Sequence, residues 1–182
     1  MVETINLSSP LNSPKRSPLS SKFNLKTINL FAIEPDVFVQ STVNRASQIL
    51  SENSSKEEKI NKLKSIAKET VDIKGVGFYS LGSARNDLDN NQKKKYLDLF
   101  ENYFLKSFSS RLAEYTNPEI NVFAKEVLNK NYTIVNSTLI ATNERPEIKI
   151  DWRIYTKNPN QPLIRDLIIE GLSLARTQKE EF

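Results

Sequence analysis

Read as a string of apolar and polar positions, the chain divides into a helical half and a strand half. From Pro35 the apolar residues Val39, Val43, Ala46 and Ile49 or Leu50 recur at helical spacing behind a proline suited to a first turn, which predicts helix one. Helix two opens at Ser55 with Glu58 three residues on, a capping-box spacing. It turns Ile60, Leu63, Ile66, Ala67 and Thr70 inward and lysines and glutamates outward. A long third pattern starts at Asn90 or Asp89 with Gln92 near the third helical position. Tyr96, Leu97, Phe100, Phe104, Phe108 and Leu112 recur along it in steps of about four, predicting a helix to about Tyr115, before Asn117-Pro118 stops it.

Beyond Pro118 the period falls to two. Strands are predicted at Ile120–Leu128, Tyr132–Thr142, Glu147–Tyr155 and Leu163–Glu170, joined by the short turn-rich links NKN, NERP and KNPNQP. In the third, Ile148, Ile150, Trp152 and Ile154 alternate with Lys149, Asp151, Arg153 and Tyr155. The fourth is apolar on both faces except at Asp166, and of its faces the one bearing Leu167 and Ile169 is assigned inward. Gly171 ends it, and LARTQKEEF resumes with helix formers. Short links favour an antiparallel meander. Helices in one half and a meander in the other predict an α+β fold in which a curved four-stranded sheet packs on N-terminal helices.

Between the second and the long helix lies VDIKGVGFYSLGSAR, residues 71–85, with three of the four glycines in the chain, Gly75, Gly77 and Gly82. Gly-x-Gly invites a phosphate-loop reading. No strand precedes it and no Lys-Ser/Thr pair follows, so the stretch reads instead as a short helix with sharp turns that bring Val76, Phe78 and Leu81 against something bulky. Residues 1–33 are rich in Ser, Pro and Asn, with three prolines in the first eighteen positions, and read as a disordered or vestigial leader; an organelle transit peptide is the alternative. The one apolar run there, Ile28–Ile33, is too short for a signal-peptide core. Residues 34–182 then form one domain.

Composition narrows the chemistry. The chain has 182 residues and formal net charge +4, but its cations are interleaved with acids along the helices, which argues against a nucleic-acid footprint. It contains no Cys and no His, so thiolate nucleophiles, imidazole bases and Cys or His metal ligands are excluded. The acid/base candidates that remain are Asp151, Asp166 and Glu170. Asp151 is expected in an exposed cross-strand ion pair, Asp166 beside Arg165 and Glu170 near Arg176. Ser173 has no base within reach by sequence logic. No catalytic constellation and no cofactor follow, and a binding protein fits the surplus of Phe, Tyr, Ile and Leu better. Those apolar faces either close on each other or leave a cavity between them, and periodicity does not distinguish the two. An enzyme or a protein-interaction module on an NTF2-like α+β cone is the competing reading.

The ordered part of the chain resembles the MlaC, or toluene-tolerance, family of auxiliary periplasmic phospholipid-binding proteins. The resemblance runs through DIKGVGFYSLGSAR from Asp72, the aromatic helix from Tyr96 to Tyr115, the meander with IKIDWRIY, and RDLIIEGLSLARTQKEEF. Asp166, Glu170, Gly171 and Ser173 reproduce the family's D-x-x-x-E-G-x-S element, and Leu81-Gly82 with Arg85 matches its leucine-glycine turn. Ala84, Pro162 and Arg165 stand where the family often has aromatic residues. Family members continue into a further helix, so the resemblance implies that the chain ends at Phe182 before it.

The resemblance implies a soluble periplasmic carrier that shields the acyl chains of a phospholipid in an apolar cavity. It would shuttle lipid between an outer-membrane lipoprotein complex and an inner-membrane ABC transporter bearing an MCE-domain protein. Burial of acyl chain stabilises by about 0.8 kcal/mol per CH₂, so a bare diacyl lipid in water costs on the order of 20 kcal/mol. Both tails must therefore be hidden. Val76, Phe78, Leu81, Phe100, Phe104, Phe108, Ile150, Trp152, Ile154, Leu167 and Ile169 are the expected wall. Gly82, Asp166, Glu170, Gly171 and Ser173 are expected to hold the corner between sheet and last helix, with Gly171 in a conformation other residues resist and Ser173 as a cap.

Overall fold

The computed structural model describes residues 32–181. The first helices, α1 (Pro35–Ser51) and α2 (Lys56–Thr70), form an antiparallel pair. Arg45 clamps them by donating two hydrogen bonds, of 2.9 and 2.7 Å, to the Glu69 carboxylate. The capping box at the start of α2 is complete: the Glu58 amide donates to Ser55 Oγ at 3.2 Å and the Ser55 amide to the Glu58 carboxylate at 2.9 Å. The glycine-rich stretch is a short helix, α3 (Ile73–Leu81), continued by a 3₁₀ turn over Gly82–Asn86.

The long helix α4 (Asn90–Leu112) starts at Asp89, whose carboxylate accepts from the Gln92 amide while Gln92 reaches back to the Asp89 amide, and it ends three residues before Tyr115. Strands β1 (Ile120–Asn129), β2 (Tyr132–Leu139), β3 (Ile148–Tyr155) and β4 (Leu163–Ile169) make the expected antiparallel meander. The sheet has five strands among the described residues, not four, because the two-residue β5 (Leu172–Ser173) folds back on β4 before α5 (Leu174–Glu181) begins. The leader expected at residues 1–33 lies almost entirely outside the described residues.

Packing puts α1, α2 and α4 over one face of the sheet. One core cluster joins Val39 and Val43 of α1 to Val135, Leu139, Ile150, Trp152, Ile154 and Ile164 of the sheet; a second joins Ala67, Ile73, Val76, Phe100 and Leu105 of the helices. Val71, at the end of α2, touches both clusters and also bridges to Ile164 alongside β4. The helices therefore close against the sheet at this edge, leaving the space farther along the sheet to be filled or left open.

Candidate functional site

The space is left open. A cavity of about 320 Å³ lies between α1, α2 and α4 on one side and the sheet on the other, with α3 and α5 contributing Val76, Leu174, Ala175 and Gln178 to its lining. Its wall is overwhelmingly apolar. From the sheet come Leu139, Ile150, Trp152, Ile164, Leu167 and Ile169, and from the helices residues such as Val43, Leu63, Ile66, Val76, Phe104 and Phe108.

Strand β4 reaches this wall through a break in its alternation. Trp152 pairs with Leu167 and Ile150 with Ile169, but Ile154 pairs with Ile164, so Arg165 is an extra residue at a β-bulge. The bulge inverts parity, placing Ile164, Leu167 and Ile169 all on the inner face. It also turns Arg165 toward Asp72, with which it forms an ion pair, and stacks its guanidinium 4.8 Å from the Tyr155 ring centroid.

Trp152 is fixed in the wall by a hydrogen bond from its indole N–H to Ser137 Oγ, 2.8 Å away; that hydroxyl in turn donates to the Ile150 carbonyl at 2.9 Å. The indole edge is thus satisfied and its apolar rings are left to the cavity.

Seven of the eleven residues expected in the wall line the cavity: Val76, Phe104, Phe108, Ile150, Trp152, Leu167 and Ile169. The other four do not. Ile154 is fully buried in the core cluster behind the wall. Phe100 is buried against α3, where its ring would stand 2.9 Å from a Cβ placed on Gly77. Phe78 and Leu81 are half-buried on α3, away from the lining. The split along α4 has a geometric cause: a four-residue step overshoots the 3.6-residue turn by about 40°, so an aromatic row winds round the helix. Phe100 is carried to α3 and Phe104 and Phe108 to the cavity. Their rings still stack in sequence, with centroids 6.1 and 5.3 Å apart.

Sequence reasoning missed the contribution of α1 and α2, whose Thr42, Val43, Ala46, Leu63 and Ile66 line the opposite side. Their periodicity marked buried faces without saying that one buried face meets a void. It also missed Arg111 and Tyr115 beyond the aromatic row, the two exposed residues in the lining.

The corner is built by Asp166. Buried to 5 % exposure, its carboxylate accepts from Ser173 Oγ at 2.6 Å and from the Ala175 amide at 2.9 Å, while Ser173 Oγ accepts from the Arg176 amide at 3.0 Å. Hydroxyl and carboxylate together satisfy open amides of the first turn of α5. Glu170 and Gly171 are the central residues of the β4–β5 hairpin, with φ of +48° and +82°, the positive pair that a type I′ turn requires.

Three expected ion pairs are replaced. Asp166 faces Arg153 at 3.9 Å while Arg165 takes Asp72; Glu170 accepts from the Lys149 amide at 2.5 Å; and Asp151 is half-buried and held by the Asn136 amide group at 2.8 Å. The bulge at Arg165 causes the first exchange. Asp166 does line the cavity, yet its lone pairs are engaged in capping, and Asp151 points to the other face of β3. The site offers apolar enclosure and no free carboxylate pair.

A family model described as MlaC protein matches residues 40–182. Among solved structures, the fold is similar to that of a phospholipid-binding protein from Ralstonia solanacearum, determined in complex with a phospholipid, with a TM-score of 0.69 at 18% identity over 82% of this chain and 86% of that one. No curated protein matches the sequence.

Proposed function

We propose, for a chain that belongs to the MlaC protein family, that it binds phospholipid by enclosing the acyl chains between helices and sheet and carries the lipid through water. The observation that carries this reading is the cavity itself: about 320 Å³ of space walled by Phe104, Phe108, Ile150, Trp152, Leu167 and Ile169 in the centre of the fold. A folded domain normally fills such a volume, since an unfilled apolar cavity is destabilising in proportion to its size. Acyl chains supply the missing contacts.

The volume stands at the small end of ligand sites, which span about 300–1,000 Å³. Two chains therefore enter with some parting of the walls. The role is carriage rather than catalysis. In its fuller form the reading sets the protein in the periplasm, taking lipid between an outer-membrane lipoprotein complex and an inner-membrane ABC transporter with an MCE-domain protein.

Solvent extraction of the purified protein followed by mass spectrometry tests the binding step. Co-purified phospholipid near one molecule per chain is expected; an extract without lipid from a protein that also takes up none when offered it overturns the reading.

A further inference from the structure

The charged groups of the cavity lie at its two ends. At one end are Arg165 and Asp166, whose charges are committed to Asp72, Arg153 and the α5 cap. The other end is marked by Ile120 and Leu139, which share a register row with Ile148. That row is five residues along β3 from Arg153, roughly 16 Å at the rise of a strand. Here the lining becomes exposed, at Arg111 and Tyr115.

Arg111 stands in the last turn of α4, and its guanidinium has no ion-pair or hydrogen-bond partner among the described residues; the neighbouring Glu114 lies 4.0 Å from Lys56. Arg145, from the β2–β3 connection, lays its guanidinium 5.5 Å from the Tyr115 ring centroid and donates from Nη2 to the Ile140 carbonyl at 3.0 Å. Its Nε is buried without a partner. Arg111 and Tyr115 thus belong to the same exposed stretch of the cavity rim, and Arg145, from a distant part of the chain, stacks on Tyr115, with no carboxylate ion-paired to either cation among the described residues.

We propose that Arg111, in the cavity rim, and Arg145, stacked on the rim residue Tyr115, bind the phosphate group of the amphiphile whose chains fill the cavity. The ligand then lies with its chain ends toward Arg165 and Asp166 and its phosphate at the end of α4. This rests on the phospholipid reading above. A guanidinium is the side chain suited to a phosphate diester, since its planar fork offers paired donors to two oxygens. The C-terminal end of α4 carries partial negative charge, which favours Arg111 and opposes a phosphate. A single cation there would be largely offset, and the second, brought by Arg145, makes the rim attractive to an anion. Each cation is at or near solvent, so each supplies a modest, salt-screened share of affinity and a larger share of discrimination.

Trp152 is the one tryptophan of the chain, so its quenching reads chain insertion. The full-length protein is titrated with phosphatidylglycerol brominated along its chains and with diacylglycerol bearing the same chains. The wild type is expected to bind the phosphate-bearing lipid more tightly. Arg111→Gln and Arg145→Gln each weaken it about two- to fivefold, the range of a solvent-exposed charge pair, and leave diacylglycerol unchanged; the double variant loses the preference. Equal affinity of the wild type for both lipids overturns the proposal while leaving lipid binding intact, and so does a double variant that weakens both alike. Arg111 is exposed, so its variant keeps the test decisive even where loss of Arg145 loosens its turn. Inorganic phosphate alone is expected to leave the thermal midpoint unchanged; an increase abolished in the double variant assigns the cations to a free anion and overturns the lipid orientation. Quenching by neither lipid overturns the phospholipid reading itself.

Discussion

Trp152 on β3 donates its indole N–H to Ser137 Oγ on the neighbouring strand, 2.8 Å away, and both residues are buried. The bond fixes the largest side chain of the sheet wall in one orientation. It also explains why a hydroxyl stands among the inward residues of β2, where Thr133, Val135 and Leu139 complete the buried row. Ser137→Ala leaves the indole donor buried and unpaired, which costs about 1–3 kcal/mol. At about 2–4 °C per kcal/mol for a chain of this size, thermal unfolding followed by circular dichroism should show a midpoint several degrees lower. An unchanged midpoint would mean that water replaces the hydroxyl.

Two glycines should fail for opposite reasons. Gly171 has φ of +82° and nothing within 4 Å of where a Cβ would stand, so Gly171→Ala meets backbone strain alone, about 1–2 kcal/mol. Gly77 lies in α3, where alanine is favoured locally, but its Cβ would stand 2.9 Å from the Phe100 ring, and overpacking of this kind costs about 1–3 kcal/mol. Combining Gly77→Ala with Phe100→Leu should recover part of the loss in thermal unfolding. Gly171→Ala should gain nothing from the same second change.

Acid should loosen the helical layer before the sheet. The hydrogen bonds from Arg45 hold the Glu69 carboxyl below its ordinary value of 4.5, and the one from Lys125 holds Asp36 below 3.8. A carboxyl lowered in the folded state stabilises it above the ordinary pKa, and that stabilisation is lost as pH falls through the folded value. Both pairs are well exposed, so the effect is small and local. Hydrogen exchange at falling pH should show α1 amides opening ahead of β2 and β3, and Glu69→Gln should remove the α1–α2 part of that pH dependence.

Blocking the cavity should separate binding from folding. Ala46 lines it from α1 and is half-buried. Ala46→Phe puts a ring into existing space, a change that commonly raises stability by about 0.5–2 kcal/mol. The same ring takes volume from the acyl chains. Phospholipid uptake is expected to fall more than tenfold while the thermal midpoint holds or rises; uptake at the wild-type level would place the lipid elsewhere.

The helices and the meander were legible because their apolar periods are regular and their links are short and polar, as at Ser55 with Glu58 or along Ile148–Ile154. The corner was legible too, in Asp166 and Ser173, because a lone charge in a buried strand requires donors and a hydroxyl before a helix supplies a cap. The wall was only partly so. Period-two logic has no means of seeing the bulge at Arg165, which places Ile164 on the same face as Leu167 and exchanges the ion pairs. A four-residue aromatic row does not declare that it winds from α3 at Phe100 to the cavity at Phe108. Nor does periodicity distinguish a buried face that meets another from one that meets a void, and for that reason Thr42, Ala46 and Leu63 gave no sign of lining one. Arg145 is thirty positions from Tyr115 in the sequence, and its approach to that ring exists only in the fold.

The most direct measurement is the quenching of Trp152 by phospholipid brominated at successive positions along its acyl chains. If the chains lie in the cavity against the sheet wall, quenching is strong, saturates near one lipid per chain, and peaks for bromine at a defined depth. Trp152 fluorescence indifferent to every brominated phospholipid, in protein that is folded and stripped of lipid, would contradict the account.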